Sequence, residues 1–452
     1  MIKDSLYTLL TRVLFIIGKL AYSVIVNRTL GPEGKGLFEL IQLAPNTLTN
    51  FGAFGFNEAN TYFTGKRPEL IQKIIGNSWR LTVGFSILAI ILGIGFFLLP
   101  VNQGMFTTLP MWVGFLALAV IPIALLDLFL EGILYGENRI WVRNWHEIIR
   151  ISSGILFMGV LVFVLKMYVT GAVYGFIMVN AALLIFIFIV LNRFHGIKIP
   201  ASDFTLARTC WKFARFSWGA NFATYLLYNS DKWMIFLLAP KETRMEQVGL
   251  YTTAVSVIVN IWIIPGAIQT ALLPKITKKG ESERKKLVPP SLRAVTIMVL
   301  LAMGLLALIG KPALDILYNR KGADWDFTEA YIPLMLLMPG IFTMSLAKVF
   351  AADFFSRGKP QFNMWVSIFS LVVNVILNIA LIPKYGMNGA AIASSIAYTI
   401  SFLVFLYLYI RESGERSRDI FIPKRSDFEF AWQWIKSALV KPNKNSDKGD
   451  KQ

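Results

Sequence analysis

Polar side chains recur at helical spacing along an otherwise apolar segment at 37–63. Their spacings of 3, 4, 4, 7 and 3 residues place them on one face of an α-helix. They are Glu39, Gln42, Asn46, Asn50, Asn57 and Asn60. Facing lipid, this stripe would be costly because its groups would lack hydrogen-bond partners. We expect it to line a hydrated cavity that binds hydroxyl-rich groups, with a buried seam of hydrogen bonds between helices as the alternative.

Basic side chains lie on the apolar segment that precedes the stripe. Arg12 and Lys19 are seven residues apart and therefore lie on one face of a helix. Lys19 is near the centre of the segment, where a charge is costly unless it meets water or a partner, whereas Arg12 could extend to the cytoplasmic surface. Together with Lys232 on a later segment, these cations predict a cavity for an anionic substrate. Asn260 adds a hydrogen-bonding group from the eighth segment.

Carboxylates inside apolar segments form a third group. Asp127 and Glu131 are one helical turn apart, and Asp231 precedes Lys232. Each could bind a proton or a sodium ion that couples transport to an ion gradient. For the first two, pairing with Arg143 or Arg150 is the alternative.

The composition requires a membrane protein. Of 452 residues, 55% are hydrophobic, and the mean hydropathy is +0.57. The net charge of +18 is spread over short connections and the tail, which indicates membrane topology and argues against a nucleic-acid partner. One cysteine excludes an internal disulfide, and two histidines are too few to suggest a zinc site. We expect no catalytic residues, no metal and no cofactor apart from a coupling ion.

The apolar runs predict an all-α polytopic membrane protein with twelve transmembrane helices. The predicted helices are 8–26, 37–63, 79–100, 108–135, 146–166, 170–192, 215–239, 247–273, 292–310, 329–355, 362–382 and 388–410. Alternate connections are richer in Lys and Arg, which places these connections and both termini in the cytoplasm.

An internal repeat divides the chain into halves. The segment Lys166 to Ala172 matches Lys384 to Ala390, and Gly36-Leu-Phe matches Gly249-Leu-Tyr. Glu131 also stands five residues before a glycine, as Asp353 does. Six helices per half give a parallel repeat, in which substrate usually binds between the halves. The predicted units are an N-terminal bundle at 1–192, a cytoplasmic linker with an amphipathic helix at 193–214, a C-terminal bundle at 215–411, and a tail at 412–452 that is amphipathic and then disordered.

Two motifs resemble a known family. Leu30-Gly-Pro-Glu-Gly-Lys-Gly-Leu-Phe and Leu381-Ile-Pro-Lys-Tyr-Gly-Met-Asn-Gly-Ala-Ala-Ile-Ala resemble polysaccharide and oligosaccharide flippases related to O-antigen flippases. These flippases belong to the superfamily that also contains multidrug extruders and lipid II flippases. The resemblance implies two six-helix bundles around a V-shaped central cavity. It also implies alternating access that moves a polyprenyl-pyrophosphate-linked sugar between leaflets.

We therefore expect a flippase for a lipid-linked oligosaccharide in a bacterial or archaeal cytoplasmic membrane. Its expected partners are the lipid-linked glycan, membrane lipids and a polysaccharide polymerase or other assembly protein. A drug or organic-cation antiporter of the same architecture is the alternative. A membrane-embedded glycosyl transferase would instead need a long outward loop with catalytic carboxylates or histidines, and the outward connections contain no histidine.

Overall fold

The computed structural model describes the backbone of residues 2–107, 109–196, 203–279 and 281–414. Side chains are described from residue 17 onward, except at 140 and at most positions of 270–285. The side chain of Arg12, residues 197–202 of the predicted linker and the predicted tail from 415 onward lie outside the described part.

The described residues form α-helices and shorter helical turns, without a β-strand. The helices are α1 (Ile2–Gly52), α2 (Phe56–Lys66), α3 (Ile71–Leu98), α4 (Met111–Ala117), α5 (Val120–Gly136), α6 (Ile140–Met158), α7 (Tyr168–His195), α8 (Phe204–Leu238), α9 (Arg244–Ile258), α10 (Ile263–Lys279), α11 (Glu281–Tyr318), α12 (Tyr331–Ser356), α13 (Pro360–Tyr385) and α14 (Met387–Ser413). The range given for α1 contains two helices joined at a kink at Gly31, whose φ and ψ of 65° and 177° are not helical. A π-helical turn at Gly159–Val164 continues α6.

Nine helical segments of the described residues are long and apolar enough to cross a membrane. The helices that carry the polar stripe and the Asp231–Lys232 pair, α1 and α8, are not among them. The prediction of an all-helical membrane protein is thus confirmed, and every predicted span overlaps one or more helices.

The predicted helix at 37–63 is interrupted. Pro45 lies within continuous helix, but α1 ends at Gly52 and α2 begins at Phe56. Between them, Phe54 and Gly55 have left-handed φ angles of 41° and 74°. A side-chain carbon at Gly55 would lie 2.7 Å from the Cβ of Ala214 on α8, so only glycine fits this turn. The spacing alone predicts that the polar stripe continues along a single helix face. Because of this turn, it does not.

Two glycines bring the halves of the chain into contact. Gly36 on α1 and Gly249 on α9, which the internal repeat pairs, pack against each other's helices. A Cβ at Gly36 would lie 1.9 Å from the carbonyl oxygen of Met245, and one at Gly249 would lie 1.9 Å from that of Pro32. Nearby, the Ser23 hydroxyl donates to the Tyr318 hydroxyl at 3.1 Å. The two halves are closed against each other at this end.

Candidate functional site

A cavity of about 720 Å³ separates the two halves at the opposite end. Its walls come from α2 and α5 of the first half and from α8, α10, α12, α13 and α14 of the second. It lies toward the connections 67–70 and 137–139, which the sequence assigns to the cytoplasm. A cavity of this size and position can admit a polar headgroup between the halves.

The wall from the first half is rich in acceptors. Its polar members are Asn57, Glu58, Thr61, Tyr62, Glu131 and Tyr135. Glu58 reaches across the cavity, where its Oε1 accepts from Asn221 Nδ2 of α8 at 2.6 Å. This hydrogen bond joins the halves on the cavity side without closing the cavity.

The wall from the second half carries a cation, Lys348 of α12. Its Nζ lies 4.3 Å from the ring centroid of Trp262 and 5.3 Å from that of Tyr228. No ion pair joins Lys348 to a carboxylate among the residues whose side chains the structure describes. Gln269 Nε2 donates to the backbone oxygen of Lys348, which fixes this turn of α12. An ammonium held on aromatic faces keeps its hydrogen-bond donors for an anion.

Glu39 is committed to an ion triad. Its Oε1 accepts from Lys35 Nζ at 2.6 Å, and its Oε2 accepts from Lys232 Nζ at 3.1 Å. The three side chains are only 10–17% exposed. Lys232 therefore neutralises a carboxylate of the other half, and neither residue lines the cavity. The triad links α1 to α8 near the Gly36–Gly249 contact.

The remaining stripe residues lie in three different environments: along α1, in the cavity and in a buried seam. Gln42 and Asn46 are half-buried, and Asn50 is exposed, with its Nδ2 donating to the Asn46 oxygen at 2.9 Å. Asn57 lines the cavity. Asn60 is buried in a seam, where its Nδ2 donates to Ser78 Oγ at 3.2 Å and to the Phe129 oxygen at 3.0 Å. The cavity and the seam each account for one residue at the α2 end of the stripe, and Gln42, Asn46 and Asn50 lie in neither.

Two other predicted ligands lie away from this cavity. Lys19 is exposed on α1, in the electrostatic neighbourhood of Glu147 and Arg150 on α6. Asn260 is exposed, and its Nδ2 donates to the Ser256 oxygen of its own helix at 2.7 Å. Their role in binding stays a prediction.

Asp127 and Glu131 meet a histidine. The buried His146 of α6 lies between them, with Nε2 3.1 Å from Asp127 Oδ2 and Nδ1 3.3 Å from Glu131 Oε1. Arg150, one of the expected partners, contacts the same ring, with Nη2 3.4 Å from Nδ1. The low number of histidines in the sequence argues against a zinc site, but it does not predict the contact of His146 with these two carboxylates.

Asp231 lies in a buried polar cluster of the second half. Its Oδ1 accepts from Asn378 Nδ2 at 2.8 Å, and its Oδ2 accepts from the hydroxyls of Tyr251 and Ser394. Asn374 Oδ1 accepts from Asn378 Nδ2 at 3.0 Å. Asn378 Oδ1 is buried and has no hydrogen-bond partner among the residues that the structure describes. The cluster gathers several oxygen atoms around one carboxylate.

The cavity residues that the spacing of the stripe misses come from distant parts of the chain. Glu58 follows the glycine turn at Gly55, and Asn221 lies near the start of the second half. Lys348 is a charged residue within an apolar run. Lys348 carried a usable signal, because a charge inside a membrane segment indicates a polar environment. Glu58 carried the same signal as a charge inside the predicted span 37–63, although it falls off the face that the stripe defines.

The comparisons with known proteins agree with this architecture. Residues 1–279 match the family model described as polysaccharide biosynthesis protein, and residues 249–431 match that described as lipid II flippase MurJ. The putative O-antigen transporter of Shigella flexneri is 26% identical over 296 residues, which are 64% of this chain and 68% of that protein.

Two further proteins are similar over different shares of the chain. The probable multidrug resistance protein NorM of Bacillus subtilis is 27% identical over 177 residues, 37% of this chain and 38% of that relative, so the chain spans less than two thirds of its length. The structure of lipid II flippase MurJ in an inward closed conformation has a TM-score of 0.72 at 15% identity, covering 98% of this chain and 94% of that chain. This likeness shows the fold.

The family predicted from the two sequence motifs is confirmed. The polysaccharide biosynthesis model spans well over half of the 452 residues. The match begins in α1 and ends in α10, so it includes the first-half wall of the cavity and the α8 and α10 parts of the second wall, but not α12, α13 or α14. The chain belongs to the polysaccharide biosynthesis protein family.

Proposed function

We propose that the chain is a flippase that moves a polyprenyl-pyrophosphate-linked oligosaccharide across the cytoplasmic membrane for surface polysaccharide assembly. The observation that carries the proposal is the cavity of about 720 Å³ between the halves, with Lys348 unpaired by any described carboxylate. The family match and the relative named as a putative O-antigen transporter support it. A polar headgroup meets a high barrier in hydrocarbon, and a hydrated cavity lowers that barrier.

The proposed architecture has twelve spans in two six-helix bundles, with both termini in the cytoplasm. The cavity then opens to the cytoplasm, and the contact between α1 and α9 closes the outer side. Alternating access would open that contact and close the cavity around the emptied site. A polymerase or another assembly protein would receive the flipped glycan.

In this proposal Lys348 binds the pyrophosphate. The amides of Asn57, Asn221 and Asn363, which line the cavity, would contact sugar hydroxyls, and the prenyl chain would stay in lipid between the halves. In the arrangement described here, Glu39 neutralises Lys232, so Lys232 is not available as a second phosphate ligand. A conformation that separates this pair would free it. Arg12 and Lys19 retain their predicted role as further cations on the path.

Ion coupling in the second half would use the Asp231 cluster. Hard cations such as sodium bind oxygen ligands, and Asn378 Oδ1 lacks a partner beside the Asp231 carboxylate. Binding of a proton or a sodium ion there would neutralise the buried carboxylate. The cluster joins α8, α9, α13 and α14, so its occupancy could change how these helices pack.

A drug or organic-cation antiporter is the second candidate. The carboxylates of Glu58 and Glu131 and the aromatic rings of Tyr62 and Tyr228 line the same cavity. These groups suit a cation, and one relative is named as a probable multidrug resistance protein.

Mass spectrometry of lipids that copurify with the protein distinguishes the flippase from the antiporter. We expect a polyprenyl-linked sugar on the wild-type protein, and Lys348→Met should reduce its amount roughly 10- to 100-fold, since a hydrogen bond to a charged group contributes about 1.5–3 kcal/mol. Lys348→Arg should retain most of it. Lys321→Met, an exposed loop lysine, is the matched control. Normal lipid on Lys348→Met, or ethidium transport without bound glycan lipid, would move the assignment to the antiporter.

A further inference from the structure

His146 is buried between two carboxylates inside the first half. The side chain is 1% exposed, and Asp127 and Glu131 approach its two ring nitrogens from the same face of α5. The ring therefore joins a carboxylate that lines the cavity, Glu131, to one that does not, Asp127.

The Nδ1 atom has a suitable partner in each protonation state. Neutral imidazole that donates from Nε2 to Asp127 leaves Nδ1 as an acceptor, and Arg150 Nη2 is a donor 3.4 Å away. Imidazolium carries a proton on Nδ1 as well, and Glu131 Oε1 is an acceptor 3.3 Å away. Neither state therefore leaves that nitrogen without a partner, as a buried polar atom requires.

We propose that His146 is a proton-binding site of the transporter, which exchanges Arg150 for Glu131 at Nδ1 when the ring takes up a proton. The proton comes from water in the cavity, passes through the Glu131 carboxyl group to Nδ1, and returns by the same route. The Tyr135 hydroxyl, which donates to Glu131 Oε1, holds that carboxylate beside the ring. Coupling of this step to flipping rests on the proposed function.

The other charged groups around the ring allow the exchange. On α6 itself, Glu147 Oε2 lies 3.8 Å from Arg150 Nε and can hold that side chain when it leaves the ring. Arg143 of α6 interacts electrostatically with Tyr135. Lys19 of α1 interacts electrostatically with Glu147 and Arg150. α7 also packs on α6, and none of its titratable side chains contacts the ring among the described residues.

Nuclear magnetic resonance of labelled histidine tests proton binding without any substrate. The chain has two histidines, so His195→Gln leaves His146 as the single signal, and His146→Gln identifies the other. We expect acidification to convert His146 from the tautomer protonated at Nε2 to imidazolium. Glu131→Gln should lower the imidazolium fraction severalfold at a given pH. A His146 that keeps one protonation state on acidification of the folded protein would overturn the proposal.

Spin-label distances test the link to conformation. Labels at Arg67→Cys and Arg411→Cys, in a Cys210→Ser background, lie on exposed positions of the two halves at the cavity end. Acidification should shift the distance distribution in the parent protein and leave it unshifted in His146→Gln. An equal shift in both proteins would show that protonation of His146 does not drive the conformational change, even if the ring binds a proton. Neither experiment uses glycan lipid, so the proposed substrate can fail while this site stands.

Discussion

Glu39 shows how a residue's surroundings decide its role. As an acid in an apolar helix it predicts contact with substrate, but Lys35 and Lys232 occupy both of its oxygens. A buried ion pair contributes little net stability relative to apolar residues, yet loss of one partner leaves an uncompensated charge. Glu39 therefore joins the halves in this arrangement, and its chemistry is structural.

Glu39→Gln should lower the free energy of unfolding by about 3–5 kcal/mol, because two buried ammonium groups lose their counter-charge. Adding Lys232→Met should recover part of this loss, so the two effects will not add. Denaturant titration of both single variants and the double variant measures the coupling. Strict additivity would show that the pair does not interact in solution.

Helices α1 and α9 depend on small residues for their contact. The glycines of the repeat let two backbones approach where a methyl group would meet a carbonyl oxygen, which is the usual device for close packing of membrane helices. Since this contact closes one end of the molecule, a larger residue there should favour the conformation in which that end is open.

Gly36→Ala should separate α1 from α9 and expose the path beneath. In a Cys210→Ser background, the labelling rate of Gln42→Cys with an impermeant maleimide from the outer side should rise severalfold. Gly84→Ala is the matched control, because a Cβ there has nothing within 4 Å. Equal labelling in the two glycine variants would contradict a closing role for the contact.

The start of α8 is fixed by Asp203. The backbone N–H of Leu206 and the ammonium of Lys73 donate to its carboxylate and hold the pKa of Asp203 below its usual range. A lowered pKa stabilises the cap fully above the unfolded value of about 3.9, and this contribution is lost as the pH falls through the folded pKa.

We therefore expect the first turn of α8 to fray in acid, below about pH 4. Hydrogen exchange of the Leu206 amide, read by mass spectrometry, should accelerate there after correction for the intrinsic rate. Asp203→Asn retains a capping oxygen and removes the titration, so its protection should not change over this range. An identical acid response in both proteins would assign the fraying to another group.

At the scale of the whole molecule, the described residues form one closed end and one open end, and from the distribution of basic residues we propose that the open end faces the cytoplasm. The connection at 67–70 lies at the cavity end, and the connection at 319–326 lies at the closed end, where Trp325 packs on Gly31. The proposed orientation therefore rests on the charge of the connections.

An impermeant maleimide applied to intact spheroplasts should label Lys321→Cys and not Arg67→Cys, both in a Cys210→Ser background. Both positions are exposed, so access and not burial decides the result. Inverted vesicles should give the opposite labelling. Labelling of Arg67→Cys in spheroplasts would invert the proposed topology and the direction of the cavity.

The sequence by itself determined the helical membrane fold and the family, because hydropathy and turn motifs are local properties of the chain. It also located polar groups, since a charge in an apolar run is conspicuous wherever it packs. Only the tertiary structure decided their partners. Glu39 with Lys232, Glu58 with Asn221, and His146 with Asp127 are joined by helix packing and by the break at Phe54–Gly55, and such contacts have no spacing that periodicity can reveal.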